Sequence, residues 1–226
     1  MSNNPDDQFQ KIYLIFYKNQ LASLNDFLQI MQSTLDDRVN NIDIDLDSIK
    51  NEEGFKENLD AFSHEILNKE GEVLEIREHE NLLRKTFIVS LYSFMELWLL
   101  RDCRHKLKLR KDLKLSLSDL SGKGLEKAKT CYSKVLGIDY SFGDSKDWYF
   151  ITQLKAMRNC IVHRQGSLTG LSDLPITGEA KKLKTFVQIE KHLRFYGPGE
   201  QIFIESDFCL KSLVIIDRFM MSLLFI

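Results

Sequence analysis

Phe87 to Leu100, FIVSLYSFMELWLL, is the stretch that most limits how this chain can fold. It sits inside a helical apolar pattern that runs from Glu75 to about Lys106, and in its middle it is hydrophobic nearly all round. A helix with no polar side has nothing to turn to water, so other elements must pack on several of its faces. The run is short of the ~20 residues a bilayer span needs, and it contains Glu96. The expectation is therefore a central core helix and no membrane segment. A hydrophobic fraction of 43% beside 28% charged residues supplies enough apolar surface to build neighbours around it. No linker-like stretch divides the 226 residues, which predicts a single domain over 1–226.

The remaining pattern is mostly helical. Ile12, Phe16, Leu21, Leu24, Leu28 and Met31 recur at helical spacing, predicting a long amphipathic helix from Asp6 to about Leu35. Asn41 to Asn51 alternates acids with aliphatics and reads as a connector. Phe55 to Leu67 reads as a second, shorter helix, with Gly71 as its break. After Lys114, Ser116 to Leu120 suggests a turn, and Leu125 to Val135 a helix ended by Gly137. Asp147 is placed to cap the next helix at its N-terminus. Phe186 to Ile189 and His192 to Tyr196 alternate like strands, and Ile202 to Glu205 follows the turn GPGEQ, which predicts a small β-hairpin inserted at about 183–205. Ser206 then caps a last helix, Asp207 to about Leu224, with an apolar face through Leu210, Leu213, Val214, Met220 and Leu224.

The net charge of −2 hides an asymmetry. Asp36 to Asp60 carries nine acids against three Lys/Arg, and Arg101 to Lys114 carries seven Lys/Arg against two acids. The basic segment is a candidate anion-binding surface through Arg101, Arg104, Lys106, Lys108, Arg110 and Lys111, set against the simpler reading of a solvated helix end. Cys103, Cys131, Cys160 and Cys209 are far apart and form no Cys-x-x-Cys pair, as expected in a reducing compartment. The start, MSNNPDDQ, has neither the basic nor the apolar region of a secretory signal, so the expected location is cytoplasmic. The sequence has no Gly-rich phosphate loop, no Walker motif and no zinc-ligand cluster, and it calls for no metal or other cofactor.

Chemistry is concentrated in Ile151 to Gly166, ITQLKAMRNCIVHRQG. At about 100° per residue, Ile151, Leu154, Met157 and Ile161 make one stripe that faces the core. Lys155, Asn159 and His163 are four apart and make a second stripe, so Asn159 and His163 can touch one ligand. Arg158 is five residues before His163, and in a regular helix their side chains diverge by about 140°. A loosened last turn before Gly166, a residue type that readily turns left-handed, would bring them closer. Imidazole moves protons near neutral pH, and guanidinium binds phosphate oxygens in pairs and stabilises charge developing on phosphorus. The set suits metal-free cleavage of RNA by its own 2′-hydroxyl. A capping histidine beside a surface arginine fits the same residues. Glu96 on the central helix is either a carboxylate at a solvent gap or the partner that orients Arg158.

Arg158-Asn159-Cys160-Ile161-Val162-His163 resembles the R-N-x-x-x-H form of the Arg-x(4–6)-His motif of the HEPN superfamily. The context is similar too: the motif lies late in a helical chain, near a helix end, with a glycine soon after and one long helix to follow. The resemblance is specific over Arg158 to His163 and loose elsewhere. It implies a mostly α, HEPN-like helical bundle with the hairpin inserted before the last helix. It further implies a metal-independent RNase of toxin–antitoxin or phage-defence type, with RNA as substrate and Arg158 and His163 catalytic. Asn159 would assist phosphate or sugar contacts, and Glu96 is loosely similar to a supporting polar residue from an earlier helix. Two subunits would join their motifs into one site, and an antitoxin or operon partner would accompany them. A non-catalytic relative that binds nucleotide, RNA or a protein partner is the alternative. Members controlled by a nucleotidyltransferase antitoxin carry a tyrosine two residues after the histidine; here Gln165 stands there, a departure that argues against that control.

Overall fold

The computed structural model describes residues 5–51, 59–138, 142, 145–169, 178–197 and 199–224. The fold is mostly helical, with one small antiparallel hairpin before the last helix. In chain order the elements are α1 (Pro5–Lys50), α2 (Leu59–Leu109), α3 (Gly124–Thr130), α4 (Lys146–Arg164), α5 (Gly178–Ile189), β1 (Leu193–Tyr196), β2 (Gln201–Ile204) and α6 (Ser206–Leu224). The turn expected at Ser116–Leu120 is a short 3-10 helix over Leu117–Asp119, and α3 widens into a π turn over Cys131–Val135, with Leu136 N donating to the Cys131 carbonyl, before Gly137.

The C-terminal half of α2 is the central helix. Phe87, Ile88, Leu91 and Met95 have no exposed surface, and α1, α3, α4, α6 and the hairpin all pack on α2. Across α1, Trp98 meets Tyr13 edge-on at 4.6 Å and donates its indole N–H to Gln20 Oε1 at 3.0 Å. Asn81 holds the hairpin to α2, donating to the Ile202 carbonyl at 3.3 Å and accepting from Ile204 N at 3.0 Å. The hairpin's register runs from Leu193 opposite Ile204 to Tyr196 opposite Gln201.

Several boundaries differ from expectation. Asn41–Asn51 is no connector: α1 is one 46-residue helix through Lys50. Leu35, Val39, Ile42, Leu46 and Ile49 alternate steps of four and three, the spacing of a coiled-coil seam, and they lie buried or half-buried between the acids. They pair with the N-terminal part of α2 in an antiparallel arm, where Lys69 bridges Asp45 at 3.0 Å. Gly71 does not break α2, which is continuous over 51 residues. It is solvent-exposed there, and a helical glycine costs only about 1 kcal/mol relative to alanine. Residues 55–58 of the expected short helix lie outside the described residues.

Ser145, not Asp147, caps α4; its hydroxyl accepts from Trp148 N at 3.3 Å, while Asp147 pairs with Arg218 of α6. The strand expected at Phe186–Ile189 is the end of α5, because Ala180, Leu183, Phe186 and Val187 bury one helical face; the hairpin is confined to 193–204. Ser206 is the first residue of α6 and not its cap. The buried face of α6 runs through Phe208, Ile215, Ile216, Phe219 and Leu223, leaving Val214 58% exposed. No helix among the described residues is long and apolar enough to cross a membrane.

Candidate functional site

Helix α4 carries the motif and is oriented by its core stripe. Ile151, Leu154 and Met157 are fully buried, and Ile161 packs half-buried at the core's edge. Lys155 and Asn159 are half-buried on the neighbouring face, and His163 is exposed in the last turn. The helix is regular to Arg164. Its end turns left-handed at Gln165 (φ 54°) and Gly166 (φ 86°), with both amide N–H groups returned to the Cys160 carbonyl. A non-glycine residue in that conformation costs about 1 kcal/mol. Three contacts hold it: Ile202 N donates to the Gly166 carbonyl at 2.9 Å, Ser167 Oγ to the Gly199 carbonyl at 2.6 Å, and Lys85 Nζ to the Gln165 carbonyl at 3.2 Å. The hairpin is thus the clamp for the helix end, and the ammonium of Lys85 complements the helix dipole. Burial, opposed by the weaker fields of Cys160 and Glu78, holds Lys85 below the ordinary lysine range.

The end of α4 is therefore tied and not loosened, and Arg158 and His163 diverge as a regular helix requires. His163, Asn159, Cys160 and Arg164 line a cleft of about 330 Å³ whose opposite wall is Glu179, Ala180 and Leu183 of α5. Arg158 does not line that cleft. Its Nη1 donates to Asn159 Oδ1 at 3.1 Å, which leaves the Asn159 amide N–H₂ as the end available to a ligand, and its Nε is buried without a hydrogen-bond partner among the described residues. On its other side Arg158 lies within the field of Tyr92, whose hydroxyl is pushed up by burial and by the Glu96 carboxylate and is opposed by the Arg158 charge.

Glu96 is half-buried and serves α3. Its Oε1 accepts from Leu125 N at 3.2 Å and from Tyr92 Oη at 3.4 Å, and no ion pair joins it to Arg158 among the described residues. Gly124, at φ 51°, is placed so that any Cβ would overlap that carboxylate. The carboxylate thus supplies the N-terminal cap that Lys123 cannot provide. Glu126, in the first turn of α3, then bridges Lys155 of α4 at 3.3 Å.

The basic segment divides. Lys106 is engaged by Asp102 at 3.2 Å and by the Leu223 carbonyl at 2.9 Å, and Arg110 is paired with Asp112. Arg101 lies over the Trp98 ring at 5.9 Å, and Lys111 is exposed. Arg104 and Lys108 instead line an open cleft of about 580 Å³ together with Lys123 and Lys127, two cations the sequence reading passed over. Arg104 and Lys108 are one helical turn apart on α2, while Lys123 is the extended residue before α3 and Lys127 lies within it, so only the fold brings the four together. All four cysteines are free and buried. Among the described residues there is no group of three or more His, Cys, Asp or Glu that could hold a metal ion. Compared with known proteins, the chain matches no family model, no curated protein and no solved structure.

Proposed function

We propose that this chain is a HEPN-like, metal-independent endoribonuclease of toxin or phage-defence type that acts on RNA in the cytoplasm as a homodimer. The observation that carries the reading is the end of α4: an exposed His163 and an Asn159 share one cleft wall, and Arg158 fixes the Asn159 amide oxygen. In the reaction the RNA 2′-hydroxyl oxygen attacks the adjacent phosphorus, and the P–O5′ bond breaks. A 2′,3′-cyclic phosphate and a 5′-hydroxyl result. His163 carries the proton, Asn159 donates to a phosphate or sugar oxygen, and a guanidinium stabilises the charge on phosphorus. Arg158 does not line the His163 cleft of its own chain, where Arg164 is the guanidinium present; in this reading Arg158 reaches that cleft from the second subunit. Arg104, Lys108, Lys123 and Lys127 offer a place for the strand's backbone away from the cut.

The bond from Arg158 to Asn159, which turns the guanidinium to a neighbour on its own helix, also favours a second reading, in which the module binds RNA, nucleotide or an operon partner such as an antitoxin without cutting. Cleavage of total RNA in excess EDTA separates the two. Wild type cuts and leaves cyclic-phosphate ends; His163→Ala and Arg158→Ala each lose at least about a hundred-fold. Equal cutting by His163→Ala removes the assignment of the site, and no cutting by wild type leaves the binding module.

A further inference from the structure

The His163 cleft does not end at Asn159. Ala156, Asn159 and Glu179 are shared with a second cavity of about 540 Å³, which continues along α4 past Lys155, Gln153 and Thr152 to Tyr149. From Tyr149 to His163 the groove follows about 21 Å of helix at 1.5 Å per residue, long enough for several nucleotides of a single strand. Two features at its far end bear on a ligand. Tyr149 is 51% exposed, its ring resting edge-on against Phe186. Gln153 is only 6% exposed, and its Oε1 is buried with no hydrogen-bond partner among the described residues. A buried amide oxygen left unpaired is costly, and it recovers that cost from a ligand that brings an N–H. The Glu126 and Glu179 carboxylates line the same cavity as further acceptors, beside the ammonium groups of Lys155 and Lys182.

We infer that the groove between α4 and α5 is a subsite for single-stranded RNA, in which Tyr149 stacks on one unpaired base and Gln153 reads an amino-bearing base in preference to uracil. Adenine and cytosine present an exocyclic amino group to an acceptor, and glutamine pairs with adenine through two hydrogen bonds. Uracil presents carbonyl oxygens on either side of its single N–H and meets the carboxylates poorly. The flanking lysines take the phosphates on either side. The inference deepens the endoribonuclease reading and rests on it for the identity of the ligand.

Its test uses the full chain carrying His163→Ala, so that binding is read without cleavage, and fluorescence anisotropy with labelled oligoadenylate, oligocytidylate and oligouridylate of equal length. Oligoadenylate and oligocytidylate bind at least about five-fold more tightly than oligouridylate. Adding Gln153→Met removes that preference while the melting temperature holds or rises, because an orphaned acceptor is gone. Adding Tyr149→Ala weakens all three by about ten-fold. Equal affinities in the parent, or a preference that survives Gln153→Met, overturns the inference. The two readings fail separately: a base preference without cleavage by wild type removes the nuclease and keeps the subsite, and cleavage with no effect of Gln153→Met on binding does the reverse.

Discussion

Glu96 is the residue whose role the structure redefines, and its contact with Gly124 lends itself to a double-mutant cycle. Glu96→Ala removes the carboxylate that caps α3, with its bonds from Leu125 N at 3.2 Å and Tyr92 Oη at 3.4 Å. A hydrogen bond to a charged group contributes about 1.5–3 kcal/mol, so the loss is about 2 kcal/mol. Gly124→Ala leaves the carboxylate in the chain but fills its place with a methyl group, at a backbone φ of 51°. That change costs about 1 kcal/mol for the left-handed conformation plus the same cap, about 3 kcal/mol in all. With Glu96 already gone, Gly124→Ala costs only its backbone part, so the double variant loses about 3 kcal/mol where independent sites would lose about 5. Urea unfolding of the four proteins reads the difference. Losses that add to within about 0.5 kcal/mol refute the cap. Unchanged stability in Glu96→Ala together with lost RNA cleavage refutes it in the other direction and returns Glu96 to the catalytic site.

The cleft of Arg104, Lys108, Lys123 and Lys127 is expected to set the salt dependence of RNA binding. Replacing all four by alanine lowers the slope of log affinity against log salt by about 3, at roughly 0.7 per phosphate contact on a single strand; an unchanged slope in a salt titration removes the cleft from the RNA path. Lys85 gives a pH signature. Burial lowers its native value below the 10.5 of a free lysine, so in the window between the two the unfolded chain holds more protons and stability rises with pH. In urea unfolding at a series of pH values, wild type gains on Lys85→Met as pH climbs through that window; a difference independent of pH shows that Lys85 is not desolvated.

The central helix was legible because Phe87 to Leu100 is apolar on most of its faces and needs neighbours on several of them, although Ser90, Ser93 and Leu97 keep one stripe open to water. The arm was not. Val39, Ile42, Leu46 and Ile49 keep a coiled-coil step, but Asp43, Asp45 and Asp47 stand between them. Alternating acids and aliphatics look like a connector until the matching residues of α2 are brought alongside. Phe186 to Ile189 failed for a different reason: a short apolar run has no period of its own, and only Ala180 and Leu183 upstream settle it as helix. That error hid the α5 wall of the His163 cleft. Within α4 the rotation per residue was enough to separate Asn159 and His163 from the core stripe. It could not place Gln153, whose burial depends on α5, or the Arg158 bond to Asn159, which depends on a rotamer.

The divergence of Arg158 from His163 gives the proposed homodimer a quantitative test. If both residues acted within one chain, Arg158→Ala and His163→Ala would each be inactive, and mixing them would recover nothing. If each site takes its arginine from one subunit and its histidine from the other, a heterodimer of the two variants has one site lacking both residues and one site lacking neither. Twofold symmetry gives two sites per dimer, and random exchange of subunits makes half the dimers mixed, so an equal mixture recovers about one quarter of wild-type cleavage. Val162 on α4 is 48% exposed and Leu82 on α2 is 61% exposed. The variants are unfolded and refolded together to exchange subunits, and cleavage is measured in EDTA beside each variant refolded alone. Recovery of about a quarter locates the site between chains. No recovery, with exchange verified by differently tagged subunits, places Arg158 outside any shared site and leaves it the part the present geometry already displays, that of holding the amide of Asn159.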